Sequence, residues 1–166
     1  MTRCDLNLGF IGLGAIGRPM AANLCQAGFR LNVHTRSRSA ETAPDLQGSR
    51  SCASPAEAAD AVDVLLICVS DNQAVETVLF GSDGAASTLR PDSVVVDCST
   101  IAPATAMGCA KRLALQGVHY LDAPVTGGTE GAKAGTLTLL VGGESTALAC
   151  VRPVLEVIGS TIHHFG

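Results

Sequence analysis

The sequence has very few aromatic residues and no tryptophan. Phe, Trp and Tyr together make up 3% of its 166 residues, whereas apolar residues as a group make up 47%. Large rings cannot dominate a core of this composition, so alanine and small aliphatic side chains must fill it. The chain also contains 18 glycines, and this combination favours helices packed closely on a parallel sheet. The length suits a single domain with one sizeable core.

Runs of basic residues are also absent, and the formal net charge is −4. Neutralising the phosphates of nucleic acids needs a basic surface, so we expect no nucleic acid as the main partner. No apolar segment reaches the length of a membrane span, which is about 20 residues. The N-terminus does not combine a basic region with a long apolar stretch. The sequence therefore predicts no membrane partner and no signal peptide.

Seven cysteines are present, and no two of them have the Cys-x-x-Cys spacing of a metal or redox site. They are Cys4, Cys25, Cys52, Cys68, Cys98, Cys109 and Cys150. Their number is odd and most of them lie within apolar runs, so we interpret them as small buried thiols rather than disulfides or metal ligands. We expect no bound metal and a cytoplasmic location.

Strand-like and helix-like segments alternate along the chain. Residues 6–11 form an apolar run of strand length, residues 15–27 carry apolar residues at helical spacing, and residues 30–35 are again strand-like. Further strands are predicted at 51–53, 64–69, 93–97, 119–121, 137–141 and 161–164, and further helices at 55–61, 72–79, 103–116 and 145–158. This alternation predicts a doubly wound, mostly parallel α/β sheet. We expect residues 1–166 to form one domain without an internal boundary.

A glycine-rich turn joins the first predicted strand to the first predicted helix. Gly12, Gly14 and Gly17 have the Gly-x-Gly-x-x-Gly spacing of Rossmann-type dinucleotide-binding folds. In such turns the first glycine permits the bend, the second lets a pyrophosphate approach the backbone, and the third lets the helix pack against the strand. The helix N-terminus then offers free N–H groups to the phosphates. We therefore predict cofactor contacts for Gly12, Leu13, Gly14, Ala15, Ile16 and Gly17.

The end of the second predicted strand distinguishes between the two nicotinamide cofactors. Proteins that bind NAD usually place an acidic residue there for the ribose hydroxyls, whereas an arginine accommodates the 2′-phosphate of NADP. Here Thr35 and Arg36 follow the strand, with Arg38 close behind and no acid at that point. Because a guanidinium group binds phosphate through a forked pair of hydrogen bonds, the sequence favours NADP over NAD. Thr35 and Arg36 are predicted cofactor residues, while Arg38 is either a second phosphate contact or a solvated loop charge.

Small polar residues follow three further predicted strands, and ligands bind at the carboxyl ends of strands in open α/β sheets. The first such end is predicted to line the ribose of the cofactor, through Cys68, Val69 and Ser70. Ser99 and Thr100 follow the next strand, and residues 122–128 follow the one after. Each end also has a structural interpretation, since Ser70 or Asp71 could cap the helix after them, Ser99 and Thr100 could do the same for the helix near Pro103, and the glycines could belong to an ordinary loop. Their shared position beside the glycine turn favours the functional interpretation.

Taken together, these segments resemble the β-hydroxyacid dehydrogenase family, to which 6-phosphogluconate dehydrogenase is more distantly related. The resemblance rests on residues 10–20, 97–103, 122–128 and 135–143, which occur in the family's order. It implies reversible hydride transfer between a nicotinamide cofactor and a small molecule, a 3-hydroxy acid or its semialdehyde. It also implies that Thr100 contacts the nicotinamide side of the cofactor, and that the substrate is held by Ser99, Thr126, Gly127 and Gly128.

Two departures from the family pattern stand out. The family usually has serine where this chain has Thr126, whose extra methyl group can narrow the pocket or shift the choice of substrate. The family's catalytic lysine lies on a helix just after the dinucleotide-binding domain, and neither Lys111 nor Lys133 occupies that motif position. We therefore expect a truncated protein without a catalytic residue or the family's helical C-terminal domain. Such a chain would bind the dinucleotide with little or no turnover.

The resemblance implies that the intact protein is a homo-oligomer. Two alternatives to the hydroxyacid dehydrogenase stay open. The parent protein could be of the imine reductase type, which shares this architecture and often replaces the lysine. The chain could also be a non-catalytic dinucleotide-binding module, although the segment 126–128 argues against this because a pure binding module has no need for a substrate loop.

Overall fold

The computed structural model describes residues 6–38 and 40–166. Its main sheet consists of β1 (Asn7–Ile11), β2 (Arg30–His34), β3 (Arg50–Ser51), β4 (Val64–Ile67), β5 (Val94–Asp97) and β6 (His119–Asp122). All six strands are parallel, and their order in the sheet is β3-β2-β1-β4-β5-β6. The chain runs outward from β1 to β3 and then crosses back to continue from β4 to β6. This confirms the predicted Rossmann-type fold and places a crevice between β1 and β4, where the winding direction reverses.

Helices cover both faces of this sheet. They are α1 (Gly17–Gln26), α2 (Pro55–Ala59), α3 (Asn72–Phe80), α4 (Pro103–Ala114), α5 (Gly128–Ala134) and α6 (Ser145–Ile158), with short 3-10 turns at Pro44–Leu46 and Ala85–Ser87. Helices α1, α5 and α6 contribute to one apolar cluster, and α2, α3 and α4 contribute to the other. Within residues 6–38 and 40–166, no helix is long and apolar enough to cross a membrane.

Strand β4 is apolar at every position because helices cover both of its faces. Val64 and Leu66 pack in the cluster beneath α1, whereas Leu65 and Ile67 pack in the cluster beneath α3 and α4. Successive side chains of a strand point to opposite faces of the sheet. A central strand covered by helices on both faces therefore needs an apolar residue at every position.

A second, smaller sheet was not predicted from the sequence. It contains β7 (Val125–Thr126), β8 (Leu137–Val141) and β9 (Gly159–His164) in that order, with β7 antiparallel to β8 and β9 parallel to it. Strands close to β8 and β9 were predicted from the sequence, whereas β7 and α5 were not. Strand β7 has two residues and α5 has seven, of which Gly128 and Gly131 disfavour a helix. Neither element is long enough to produce a clear periodic pattern.

The helix predicted from the capping motif at Ser54 forms but is shorter than expected. The Ser54 hydroxyl accepts the N–H of Glu57 at 3.1 Å, which caps the first turn. The Glu57 carboxylate accepts the N–H of Ala53 at 2.6 Å, one residue before the partner that a capping box predicts. The helix ends at Ala59 rather than Ala61, because Asp60 already has an extended backbone with a ψ of 129°, and Ala61 then turns into a left-handed conformation with a φ of 57°.

The cysteines within the described part of the chain are free. Cys52, Cys98 and Cys109 are buried, as predicted, and two others are half-buried. Cys150 is exposed, so the prediction of a buried thiol is wrong there. Its position on α6 is flanked by core residues in sequence, but it lies on the solvent face of the helix. Cys4 lies outside the described residues.

Candidate cofactor-binding site

The glycine turn begins where β1 ends. Gly12 donates its N–H to the carbonyl oxygen of His34 at 2.9 Å and has a φ of 100°, which favours glycine. A Cβ atom on Gly12 would overlap the carbonyl oxygen of Cys68, and one on Gly17 would overlap the carbonyl oxygen of Gly12. The packing of the turn against the end of β4 therefore requires Gly12, and the packing of α1 against the turn requires Gly17, whether or not a ligand binds.

Gly14 differs from the other two glycines of the turn. It is exposed, and a Cβ atom built on it would have no neighbour within 4 Å. No side chain caps the N-terminus of α1, and the first turn of that helix contains no acidic residue. Its first N–H groups, which carry the partial positive charge of a helix N-terminus, therefore lack a side-chain acceptor. A pyrophosphate fits this position chemically and would account for a glycine that the chain's own packing does not require.

A cavity of about 600 Å³ extends from this turn along the crevice. Its walls are the turn, the residues after β2, the residues after β4 and part of α3. Every predicted cofactor residue except Thr100 lines it: Gly12, Leu13, Gly14, Ala15, Ile16, Gly17, Thr35, Arg36, Cys68, Val69 and Ser70. Thr100 lies beyond the lining, because it follows β5 and β5 is one strand away from the crevice.

The two arginines after β2, Arg36 and Arg38, have different surroundings. The Arg38 Nε donates to the Glu41 Oε2 at 3.0 Å. Arg36 lines the cavity and is exposed, and among the described residues it forms no ion pair. Of these two arginines, Arg36 is therefore the one available to an anionic ligand in the cavity.

Glu41 lies near the end of β2 in space, although no acidic residue directly follows the strand in the sequence. The Glu41 Oε1 accepts the N–H of Thr35 at 2.9 Å, while its Oε2 pairs with Arg38. The Glu41 side chain is 2% exposed, so it is turned toward the loop and not toward ribose hydroxyls in the cavity. In the sequence, Glu41 is separated from the end of the strand by several loop residues. The direction of its side chain depends on the path of that loop, which the sequence does not reveal.

Ser70 and Asp71 combine a structural role with their place in the cavity wall. The Asp71 carboxylate accepts the N–H of Ala74 at 2.8 Å as the N-cap of α3, and the Ser70 hydroxyl donates to it at 2.7 Å. The Ser70 hydrogen bond lowers the pKa of Asp71 most, the Ala74 amide adds to this, and Arg36 contributes less. Asp71 therefore caps α3, and both Ser70 and Asp71 also line the cavity.

A buried network joins the ends of β4 and β5. The Ser99 Oγ accepts the N–H of Val69 at 3.0 Å, and the Asp97 Oδ1 accepts the N–H of Ser99 at 3.0 Å. The Tyr120 hydroxyl donates to the Asp97 Oδ2 at 2.8 Å. Burial raises the pKa of Asp97, and the hydrogen bonds from Ser99 and Tyr120 oppose that rise. Burial also raises the pKa of the neighbouring Cys68 thiol to about 11, so the cavity wall there is uncharged near neutral pH.

The predicted substrate residues fall into two places. Thr126, Gly127 and Gly128 are exposed at the junction of β7 and α5, where the two glycines have φ values of 132° and 63°. Ser99 is 2% exposed and its hydroxyl is engaged by Val69. None of these residues lines the 600 Å³ cavity. Ser99 therefore supports the cavity wall from behind and does not share a surface with the segment 126–128.

Neither of the two lysines lines this cavity. The Lys133 Nζ pairs with the Glu130 Oε1 at 2.9 Å on the exposed side of α5. Lys111 is exposed in the last turn of α4. Within the part of the chain that the structure describes, no cluster of His, Cys, Asp and Glu is arranged to hold a metal ion.

The doubly wound sheet, the glycine turn and the crevice beside it define a Rossmann-type dinucleotide-binding domain. The NAD-binding domain of 6-phosphogluconate dehydrogenase, as a family, matches residues 7–166, and the chain belongs to that family. The 3-hydroxyisobutyrate dehydrogenase of Pseudomonas aeruginosa is 41% identical over 160 residues, which are 96% of this chain and 54% of that protein. The resemblance to the β-hydroxyacid dehydrogenases is thereby confirmed for this domain.

Solved structures agree with this assignment. The protein Psf3, in complex with NADP+ and 2-OPP, superimposes with a TM-score of 0.89 at 37% identity, covering 95% of this chain and 56% of Psf3. An imine reductase of Streptomyces aurantiacus superimposes with a TM-score of 0.85 at 27% identity, covering 96% of this chain and 55% of that protein. The chain spans about half the length of the relatives it matches.

Proposed function

We propose that this chain binds NADP(H) in preference to NAD(H), as the cofactor half of an oxidoreductase. The observation that carries the proposal is the open space at Gly14 beside the uncapped N-terminus of α1. The first turn of α1 would receive the pyrophosphate, and Thr35 and Arg36 would receive the ribose and its 2′-phosphate. Cys68, Val69 and Ser70 would line the opposite wall. Thr100 would reach the nicotinamide side.

The whole protein's reaction follows from the same proposal. A bound nicotinamide cofactor supplies or accepts the hydride, and the partner of this reaction is a 3-hydroxy acid or its semialdehyde. The exposed N–H groups at Gly127 and Gly128, with the Thr126 hydroxyl, would hold the substrate's carboxylate and hydroxyl. The resemblance implies that Ser99 is a further substrate contact. Because its hydroxyl accepts the N–H of Val69, we propose instead that Ser99 supports the cavity wall.

Residues 1–166 would thus form one cofactor-binding domain that also contributes Thr126, Gly127 and Gly128 to the substrate site. Neither Lys111 nor Lys133 lines the cavity, so we expect the chain by itself to bind the dinucleotide with little or no turnover. The cytoplasmic location and the homo-oligomeric state of the intact protein stay predictions, the first from cysteine usage and the second from the family resemblance.

The test is a fluorescence titration of the chain with NADPH and, in parallel, with NADH. We expect saturable binding of both and a lower Kd for NADPH. Arg36→Gln should weaken NADPH binding by about ten- to hundredfold, the value of a hydrogen-bonded charge pair, and should leave NADH almost unchanged. Arg152→Gln, an exposed arginine on α6 outside the cavity, is the matched control. Absence of binding to either cofactor would overturn the proposal, and tighter NADH binding would overturn the cofactor preference.

A second candidate is the cofactor domain of an imine reductase, favoured by the close superposition reported above. Both candidates predict NADPH binding, but they differ in the ligand expected at residues 126–128. Amide NMR spectra of the chain with saturating NADP+ separate them, with 3-hydroxyisobutyrate and a cyclic imine as the two probes. Shifts of the Gly127 and Gly128 amides with the hydroxy acid alone support the dehydrogenase, and shifts with the imine alone support the reductase. A non-catalytic binding module predicts no shift with either probe.

A further inference from the structure

The four residues after β2 form a tight turn with Arg36 at its centre. The N–H of Arg38 donates to the carbonyl oxygen of Thr35 at 3.0 Å, so Arg36 and Ser37 occupy the two central positions. Arg38 itself has a φ of 61°, a left-handed conformation that is uncommon for a residue with a side chain. Such a conformation persists where other contacts hold it in place.

One carboxylate holds both ends of this turn. The Glu41 Oε1 accepts the N–H of Thr35 at 2.9 Å, which fixes the residue where the turn begins. The Glu41 Oε2 lies 3.0 Å from the Nε of Arg38, which fixes the residue where the turn ends. With its side chain 2% exposed, Glu41 is shielded from water, which strengthens its hydrogen bond with the N–H of Thr35, whereas the Arg38 side chain at the other end is half-exposed.

The surroundings of Glu41 fix its orientation as well. The His34 Nδ1 lies 3.0 Å from the carbonyl oxygen of Cys52 and 3.7 Å from the Glu41 Oε1. Because a carbonyl oxygen can only accept, the His34 Nδ1 carries the proton and donates it to Cys52. This N–H dipole also lies beside the Glu41 carboxylate, with His34 buried at the end of β2. The Glu41 carboxylate therefore lies against the end of β2 in the main sheet.

We propose that Glu41 is a positioning residue for cofactor selection, acting through Arg36. This inference rests on the proposed function. By holding Thr35 and Arg38, Glu41 fixes the turn that presents Arg36 to the cavity, so that less conformational freedom is lost when Arg36 binds a 2′-phosphate. Glu41 therefore favours NADPH over NADH without touching either cofactor.

The experiment compares the NADPH and NADH dissociation constants of four forms of the full chain: wild type, Glu41→Ala, Arg36→Gln and the double variant. Glu41→Ala should reduce the preference for NADPH by about two- to tenfold, the effect of leaving one long side chain unordered. The Kd for NADH should change by less than that. In the Arg36→Gln background, Glu41→Ala should change the NADPH-to-NADH ratio no further, because Glu41 acts through Arg36.

Two further variants separate positioning from general stability. Glu41→Gln keeps an oxygen for the N–H of Thr35, so it should retain more of the preference than Glu41→Ala. Glu57 is the matched control, because its carboxylate also accepts a backbone N–H, that of Ala53, and pairs with Arg50 at 2.6 Å. Glu57 does not line the cavity, so Glu57→Ala should leave the NADPH-to-NADH ratio unchanged.

A cofactor-free measurement distinguishes the failure of this inference from the failure of the proposed function. Amide hydrogen exchange at Thr35 in the free chain should accelerate in Glu41→Ala and stay slow in Glu41→Gln. An unchanged NADPH-to-NADH ratio in Glu41→Ala, or an additive effect in the double variant, would overturn the positioning role while the wild type still prefers NADPH. A wild type that binds neither cofactor, or both equally, overturns the proposed selection itself and this inference with it.

Discussion

The Ser99 hydroxyl accepts the N–H of Val69 at 3.0 Å and so joins the ends of two neighbouring strands, β4 and β5. Val69 lines the cavity beside the glycine turn, whereas Ser99 lies behind it at 2% exposure. The wall of the cavity is therefore held by a side chain that does not face the ligand space.

Ser99→Ala should loosen this wall. The substitution leaves the N–H of Val69 without its acceptor, and because this hydrogen bond is only partly buried the unfolding free energy should fall by about 1 kcal/mol. We expect NADPH binding to weaken as well, because the segment 68–70 loses its support. Urea unfolding and NADPH titration measure the two effects.

The control for that substitution is Ser93→Ala. Ser93 is 4% exposed and donates to the carbonyl oxygen of Arg90 at 2.7 Å, but it does not line the cavity. Ser93→Ala should lower the free energy of unfolding and leave the affinity for NADPH unchanged. Equal losses of affinity in both variants would mean that Ser99 affects binding only through global stability.

The stability of the fold should depend on pH through Asp97. Burial raises the pKa of this carboxyl above its unfolded value of about 3.9, so the folded state holds the proton more tightly. Its contribution to stability is therefore fully present below that unfolded pKa and is lost as pH rises through the folded pKa. Asp97→Asn does not titrate, so the stability of the wild type relative to this variant should increase as pH falls from about 7 toward 4.

Urea unfolding of the wild type and Asp97→Asn across this pH range checks the sign. Asp122 also has a raised pKa, first from burial and then from the charge of Asp97. Asp97→Asn removes that charge and so makes the pKa of Asp122 less raised, which changes the relative stability in the same direction as Asp97 itself. A relative stability of the wild type that falls with decreasing pH would contradict a raised pKa at Asp97.

Tyr120→Phe should raise the pKa of Asp97 further. The Tyr120 hydroxyl donates to the Asp97 Oδ2 at 2.8 Å, and this hydrogen bond lowers the pKa of the carboxyl. Its removal leaves burial less opposed. Carbon-detected NMR titration of the Asp97 carboxyl group should show the shift, and a pKa that falls in Tyr120→Phe would disprove the contribution assigned to this hydroxyl.

Gly14→Ala should separate the role of this glycine from that of its neighbours. A methyl group there meets no atom of the chain within 4 Å, so the unfolding free energy should change by less than about 0.5 kcal/mol. The same methyl group would stand in the space proposed for the pyrophosphate, and NADPH binding should weaken clearly. Urea unfolding and NADPH titration measure both.

Gly108→Ala provides the comparison for Gly14→Ala. Gly108 lies within α4, and a methyl group there also has no neighbour within 4 Å. Alanine in a helix interior should stabilise the fold by roughly 0.5–1 kcal/mol, and NADPH affinity should not change. If Gly14→Ala binds NADPH as tightly as Gly108→Ala, the phosphate position proposed at the turn is wrong.

Local sequence patterns predicted most of the main sheet and helices. The run at Val64–Ile67 is apolar at every position because both of its faces are covered, and that composition is visible without the structure. Helix α6 was predicted with both of its ends, Ser145 and Ile158, because apolar residues recur at helical spacing until Gly159. The glycine turn was found because its spacing and its place after a strand are both local features.

The sequence by itself determined most of the strands and helices along the chain, the glycine turn and the family, because each is carried by short continuous segments. The tertiary structure decided which way Glu41 points, that Ser99 lies behind the cavity wall, and that β7, β8 and β9 form a sheet of their own. It also decided that Arg36 lines the cavity, whereas Arg38 forms an ion pair with Glu41 in the same loop. The physical reason is that such contacts depend on how loops close and which strands become neighbours, and no local periodicity records either.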